Sequence, residues 1–270
     1  MKIQAVRLAY FSPTKTTKMI LKNIAEGIRV DIVKHIDVTL PDGDRYDFSE
    51  MKEDELLVVG APVYAGRVPE IAVQRFQRLK STGSPAVIVV LYGNREFEDA
   101  LLELSDIAVS AGFIPVAGGA FVGEHSFSTE SVPLAAGRPD AADIWHARKF
   151  GASIGKYLHD MYDLRDIPLL KLPGNRPFRE HGILPKISPV TENDRCAACE
   201  ACASVCPSGS ITIDETSKTN VETCILCCAC VKECPGNARV IKDPMVKKII
   251  EWLRTNAAKR KEPEMFLCDT

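Results

Sequence analysis

The stretch CAACEACASVCP, residues 196–207, returns 28 residues later as CILCCACVKECP, residues 224–235. Both copies follow C-x2-C-x2-C-x3-C-P, so Cys196, Cys199, Cys202 and Cys206 have counterparts in Cys224, Cys227, Cys230 and Cys234. Thiolates are soft anionic ligands suited to iron–sulfur clusters, and four of them complete a cubane. A disulfide framework needs an oxidising compartment, and Met1–Tyr10 lacks the apolar core of a secretory signal. Zinc takes two cysteine pairs or adds histidine, and has no use for a triple spacing ending in Cys-Pro. The repeat therefore predicts two 4Fe–4S clusters, with all eight ligand positions filled. Cys228, wedged between two ligands, and Cys268, near the C-terminus, read as small buried thiols.

This cysteine pattern resembles that of bacterial-type ferredoxins with two 4Fe–4S clusters. The resemblance implies crossed ligation, the fourth cysteine of each run serving the other cluster. Cluster one would be held by Cys196, Cys199, Cys202 and Cys234, and cluster two by Cys224, Cys227, Cys230 and Cys206.

All ten cysteines lie after residue 195, so they belong to one module of a 270-residue chain. That length accommodates a full globular domain plus a small one. A hydrophobic content of 46% is enough to bury a core. No apolar run approaches the roughly 18 residues of a membrane span, and a net charge of −2 gives no reason to expect nucleic acid. Cysteine clusters in a chain without a secretory signal predict a reducing, cytoplasmic setting.

Before the cysteines, short apolar runs alternate with helical patterns. Residues 3–10 read as a strand and lead through a hydroxyl-rich loop to a helix marked by Ile20, Ile24 and Ile28. Ile32 to Val38 is a second strand, and ELLVVGAPVYAGRVP (55–69) is a buried strand ending in a Gly/Pro loop. A helix opened by Pro69 follows, carrying Ile71, Phe76 and Leu79. PAVIVVLYGNR (85–95) is the next strand and loop, then a helix runs through Leu101, Leu104 and Ile107 to a stop at Gly112. FIPVAGGAFVG (113–123) is the fifth strand, and Ala141 to Met161 a long helix. This alternation predicts an α/β fold with a doubly wound, five-stranded parallel sheet in the flavodoxin-like order, its ligand site at the carboxyl ends of the strands.

The expected organisation is a flavodoxin-like domain over 1–163, a proline-rich linker over 164–190 lying along a domain surface, a small α+β two-cluster ferredoxin-like domain over 191–242, and an amphipathic helix with its tail over 243–270. Val246, Ile249, Ile250 and Leu253 give that helix its apolar face, and Lys259-Arg260-Lys261 reads as a solvated terminus.

Three loops fall at the ligand end. In the first, Ser12, Thr14, Lys15, Thr16 and Thr17 stand before a helix, where free N–H groups and the helix dipole favour a phosphate. A plain hydroxyl cap of the helix is the other reading. The loop resembles the flavodoxin phosphate loop T-x-T-G-x-T, with Ser12, Thr14 and Thr17 at its hydroxyl positions and Lys15 in place of the Gly. The second loop carries Pro62, Val63, Tyr64, Ala65 and Gly66, and the third Tyr92, Gly93, Asn94 and Arg95. Tyr64 and Tyr92 are either ring contacts for an isoalloxazine or tyrosines covering the sheet end. Asn94 and Arg95 are expected at the pyrimidine oxygens. His125, after the fifth strand, is a candidate proton donor to a flavin or a solvated side chain. No G-x-G-x-x-G follows a strand, which favours FMN over a dinucleotide.

The stretch YGNREFEDALLEL (92–104) and its surroundings resemble prokaryotic flavodoxin–ferredoxin fusion proteins over nearly the whole chain. That resemblance implies an electron-transfer protein passing electrons between a soluble redox partner, two 4Fe–4S clusters and FMN. The alternative is a flavin-dependent reductase of a small-molecule acceptor, fed through its own clusters. A redox sensor would need an effector domain.

Overall fold

The computed structural model describes residues 3–41, 46–161, 163–164, 167–181 and 186–268. The first half alternates β1 (Ala5–Tyr10), α1 (Thr16–Ile28), β2 (Ile32–Asp37), β3 (Glu55–Pro62), α2 (Glu70–Phe76), β4 (Pro85–Tyr92), α3 (Ala100–Ser110), β5 (Ile114–Val122) and α4 (Ala141–Asp160). These five strands are parallel neighbours in the order β2-β1-β3-β4-β5, the flavodoxin-like doubly wound order. Every residue of β1 and β4 is buried, and apart from Arg7, which pairs with Glu55 at 2.9 Å, the two strands read as apolar runs: helices cover both faces.

One face packs Ile20, Leu21 and Ile24 of α1 and Phe150, Ile154 and Leu158 of α4 onto the sheet. The other packs Ala72 and Phe76 of α2 with Leu101 and Leu104 of α3. The helices α1 and α4 meet backbone to backbone, because a Cβ at Gly27 would collide with the Arg148 carbonyl and one at Gly151 with the Ile24 carbonyl. Described residues of the proline-rich stretch make polar contacts with this domain. Asp99 accepts bonds from Asn175 N (2.9 Å) and Arg179 N (2.7 Å), and Arg176 pairs with Asp106 at 2.6 Å.

The cysteine module is built from short pieces: β6 (Val190–Thr191), α5 (Ala201–Ser204), β7 (Ile211–Ile213), β8 (Ser217–Thr219), α6 (Ala229–Lys232) and β9 (Arg239–Val240). Its sequence repeat is also a backbone repeat. Ala198 and Glu200 in the first copy and Leu226 and Cys228 in the second share positive φ, at 50°, 63°, 52° and 59°. Gly209 and Asn237, again 28 apart, repeat the pattern at 63° and 50°.

The last segment departs from expectation. Helix α7 (Pro244–Asn256) starts as predicted, with Asp243 capping Met245 N and Val246 N, and it buries Val246 and Leu253 while Ile249 stays exposed. The chain then returns to the first domain, where β10 (Glu264–Leu267) adds antiparallel to β5, pairing Glu264 with Ala120 and Leu267 with Ala117. The sheet therefore has six strands, not five. An exposed β5 edge would present unpaired backbone groups, and the tail covers it. Lys259-Arg260-Lys261 is not a solvated terminus: Arg260 pairs with Asp140 at 2.6 Å, and Lys261 Nζ donates to the Arg95 carbonyl at 2.7 Å. Cys268 is buried beside β5, its N–H directed at the Val116 carbonyl. Among the described residues no helix is long and apolar enough to cross a membrane.

Candidate functional site

The C-terminal ends of β1, β3, β4 and β5 converge on a cleft. It is lined by Thr14 and Thr16 from the first loop, Pro62, Val63 and Tyr64 from the second, Tyr92 and Gly93 from the third, and Gly123 through Ser126 after β5. In the first loop Lys15 holds φ at 67°, the left-handed conformation that Gly adopts without strain. Ser12 Oγ accepts from Lys18 N at 3.1 Å and caps α1 from behind the loop. Thr17 Oγ1 is buried with no hydrogen-bond partner, an unmet polar atom at the helix start. Lys15 Nζ is engaged elsewhere, 2.5 Å from Glu233 Oε1 in the cysteine module.

The second loop makes a tight turn. Ala65 (φ 51°) and Gly66 (φ 83°) sit between Tyr64 and Arg67, which exchange both backbone hydrogen bonds, at 2.9 and 3.1 Å. Gly66 faces Glu98, whose carboxylate a Cβ would strike, so neither Gly66 nor exposed Ala65 borders the cleft. Tyr64 does border it. Its hydroxyl end is enclosed beside Cys227 and Cys228, and that burial, reinforced by the two thiols, pushes its pKa well above the usual value.

The third loop differs from the sequence expectation in its polar side chains. Asn94 is buried and donates to the Ala257 and Lys259 carbonyls at 2.6 and 2.9 Å, while its Oδ1 accepts from Lys261 N at 3.1 Å. It clamps the returning tail and leaves no amide for pyrimidine oxygens. The ring of Tyr92 is 3% exposed and packs on Phe97, with Lys261 Nζ over its face. It therefore covers the sheet end and does not stack in the cleft. Arg95 pairs with Glu98 at 2.8 Å. Gly93 is required because a Cβ there would run into the His125 ring.

His125 Nδ1 accepts from Phe127 N at 3.0 Å, which leaves the ring proton on Nε2. Burial, with Lys232 and Arg95 nearby, pushes its pKa down to about 4. The ring is thus neutral near pH 7 and offers an N–H donor, not the near-neutral titration expected from sequence. The unfolded chain takes up a proton near pH 6.5 that the folded ring refuses until about 4. Stability therefore falls as pH drops through this window. Between pH 7 and 5 the wild type is expected to lose on the order of 1–2 kcal/mol more than His125→Gln in denaturant melts; equal losses would refute the buried neutral ring.

In the cysteine module, Cys196, Cys199, Cys202 and Cys234 line one cavity, three cysteines from the first run and the last from the second. Cys206 lies within electrostatic reach of Cys224, Cys227 and Cys230. Backbone N–H groups point at the last sulfur of each run, Ser210 N to Cys206 Sγ at 3.3 Å and Ala238 N to Cys234 Sγ at 3.2 Å. Burial pushes the Cys227 thiol up to about 12 and Cys230 up to about 11. Thiolates there would need a cation beside them. Among the described residues no three Cys, His, Asp or Glu side chains converge as a single metal ion requires. Cys228 is 1% exposed, its Sγ directed at the Leu226 carbonyl.

The fold and the cysteine geometry together identify the architecture. Residues 188–235 match the family model of the 4Fe-4S dicluster domain. The chain joins a flavodoxin-like domain to a ferredoxin-type 4Fe–4S domain. No curated protein matches the chain. Among solved structures, a flavodoxin from the domain Archaea is similar at 14% identity and a TM-score of 0.38, over 57% of this chain and 99% of that one. A Fusobacterium nucleatum flavodoxin bound to flavin mononucleotide shares 17% identity at a TM-score of 0.38, over 58% and 99%. A rubredoxin oxygen:oxidoreductase from Desulfovibrio gigas shares 13% at 0.39, over 58% of this chain but 37% of that one.

The ferredoxin-type domain docks at the strand ends of the flavodoxin-like domain, through its second cysteine run and Pro207 at the end of the first. Lys232 Nζ pairs with Glu124 and donates to the Ser128 carbonyl at 2.7 Å. Arg75 Nη2 donates to the carbonyl of Pro207, next to Cys206, at 2.7 Å. With Lys15–Glu233 and Tyr64 beside Cys227, these contacts set the second cysteine run against the cleft, while Cys199 of the first run is exposed. Sequence reading missed Glu124, Lys232 and Glu233 as a group, because nothing local in the chain pairs residues about 100–220 positions apart.

Proposed function

We propose that the chain is an electron-transfer flavo-iron-sulfur protein that carries FMN in the cleft and two 4Fe–4S clusters on the crossed cysteine sets, and that it serves a soluble redox partner. Bound clusters exchange one electron at a time, whereas a bound flavin takes one or two. The observation that carries this reading is the docking of the second cysteine run on the strand-end cleft, with Tyr64 shared between them.

The residues present fit both groups. Thr14, Thr16 and the unpartnered Thr17 hydroxyl would hold the phosphate at the start of α1. Tyr64 would meet the isoalloxazine from the side facing Cys227, and the Nε2–H of His125 would donate to it from Gly93. Lys232, fixed by Glu124, puts positive charge beside the cleft. Docking through ion pairs keeps both sites at high effective concentration, so exchange between them needs no diffusional encounter.

Anaerobic purification followed by iron, labile sulfide and flavin assay tests the reading. The expected result is about eight irons and about one FMN per chain. Iron without flavin, even after reconstitution with FMN, would leave the first domain as a recognition scaffold. Turnover of a small organic acceptor at a steady rate would move the assignment to a reductase.

A further inference from the structure

Arg239 is 3% exposed, yet every acceptor it finds is neutral. Its Nη1 donates to Thr191 Oγ1 at 2.6 Å, and its Nη2 to Thr219 Oγ1 at 2.5 Å and the Pro189 carbonyl at 2.8 Å. Its Nε is buried with no partner, and no carboxylate among the described residues pairs with it. A guanidinium cannot shed its proton, and a buried charge without a counter-charge costs several kcal/mol.

What surrounds this cation is sulfur. Arg239 lines the cavity bounded by Cys196, Cys199, Cys202 and Cys234, and its Nη2 lies 3.9 Å from Cys230 Sγ of the other set. The 28-residue repeat breaks here, since the matching position in the first copy is Ile211. One arginine thus stands between two cysteine sites with no twin.

We propose that Arg239 is the common counter-ion of both cluster sites, its fixed charge raising the reduction potential of each. The inference rests on the two-cluster reading above. Cluster potential depends on net charge and on hydrogen bonds to the sulfurs. A nearby cation favours the more negative, reduced state, so removing it lowers the potential.

The test is an EPR-monitored redox titration of the full-length protein, purified without oxygen, as wild type, Arg239→Gln and Arg239→Lys. Glutamine keeps hydrogen-bonding groups without the charge. It is expected to retain about eight irons and to lower the reduced-to-oxidised ratio at fixed solution potential about tenfold, which is 59 mV for one electron. Lysine is expected to stay near wild type. Full iron with unchanged potentials in the glutamine variant would overturn the proposal and leave Arg239 a structural tie. If the glutamine variant cannot hold iron, Thr219→Glu replaces it: a carboxylate at Nη2 neutralises the cation and is expected to lower both potentials, and no shift there overturns the proposal equally. Failure of the wild type to hold iron would instead defeat the underlying two-cluster reading.

Discussion

Substituting Cys206 by alanine is expected to abolish the cluster whose other ligands lie in the second run, and to spare the cluster of its own run. Iron should fall from about eight to about four per chain. The physical reason is placement: Cys206 groups with Cys224, Cys227 and Cys230, while Cys234 closes the cavity of Cys196, Cys199 and Cys202. Double variants separate the alternatives. Cys206→Ala with Cys227→Ala should hold as much iron as Cys206→Ala alone, because both strike one site. Cys206→Ala with Cys199→Ala should lose nearly all of it. The opposite ranking would show that each run ligates its own cluster.

The second large effect is on flavin. Thr14→Ala with Thr17→Ala is expected to weaken FMN binding at least about a hundredfold, since each hydrogen bond to a charged group is worth about 1.5–3 kcal/mol. Thr17 Oγ1 is already buried and unpaired, so the chain has met the cost of desolvating it before any ligand arrives. Fluorescence titration of the flavin-stripped protein reads the affinity, with riboflavin as the control. Riboflavin lacks the phosphate, so its binding should barely change, and iron content should hold. Thr17→Ser keeps the hydroxyl and should recover most of the loss. Unchanged FMN affinity in the double variant would place the phosphate away from this loop.

Much of the fold was legible because its signals are local. The runs at β1, β3, β4 and β5 are apolar apart from Arg7 and Glu55, as a sheet covered on both faces demands, and α1, α2, α3 and α7 announced themselves by spacing or by a start signal, whereas the four-residue helices α5 and α6 did not. The cleft was legible by topology, since loops after parallel strands must gather at one end of the sheet. Its side chains were less so. Asn94 and Tyr92 sit in the right loop but are taken up by the tail, through Ala257, Lys259 and Lys261, about 165 residues away in sequence. The downward shift of His125 arises from its burial and from Lys232, which the second domain supplies.

By itself, the sequence determined the ligand spacing of the cysteines, the alternation of strands and helices, and the hydroxyl loop before α1. Each of these is written in short local stretches, where period and spacing act directly on backbone geometry. Tertiary structure alone decided the sixth strand, the docking of the second cysteine run on the cleft, and the burial of Arg239 where no carboxylate among the described residues pairs with it. Those depend on which distant groups meet in a low-dielectric interior, where an unpaired N–H or an uncompensated charge costs more than any local propensity supplies.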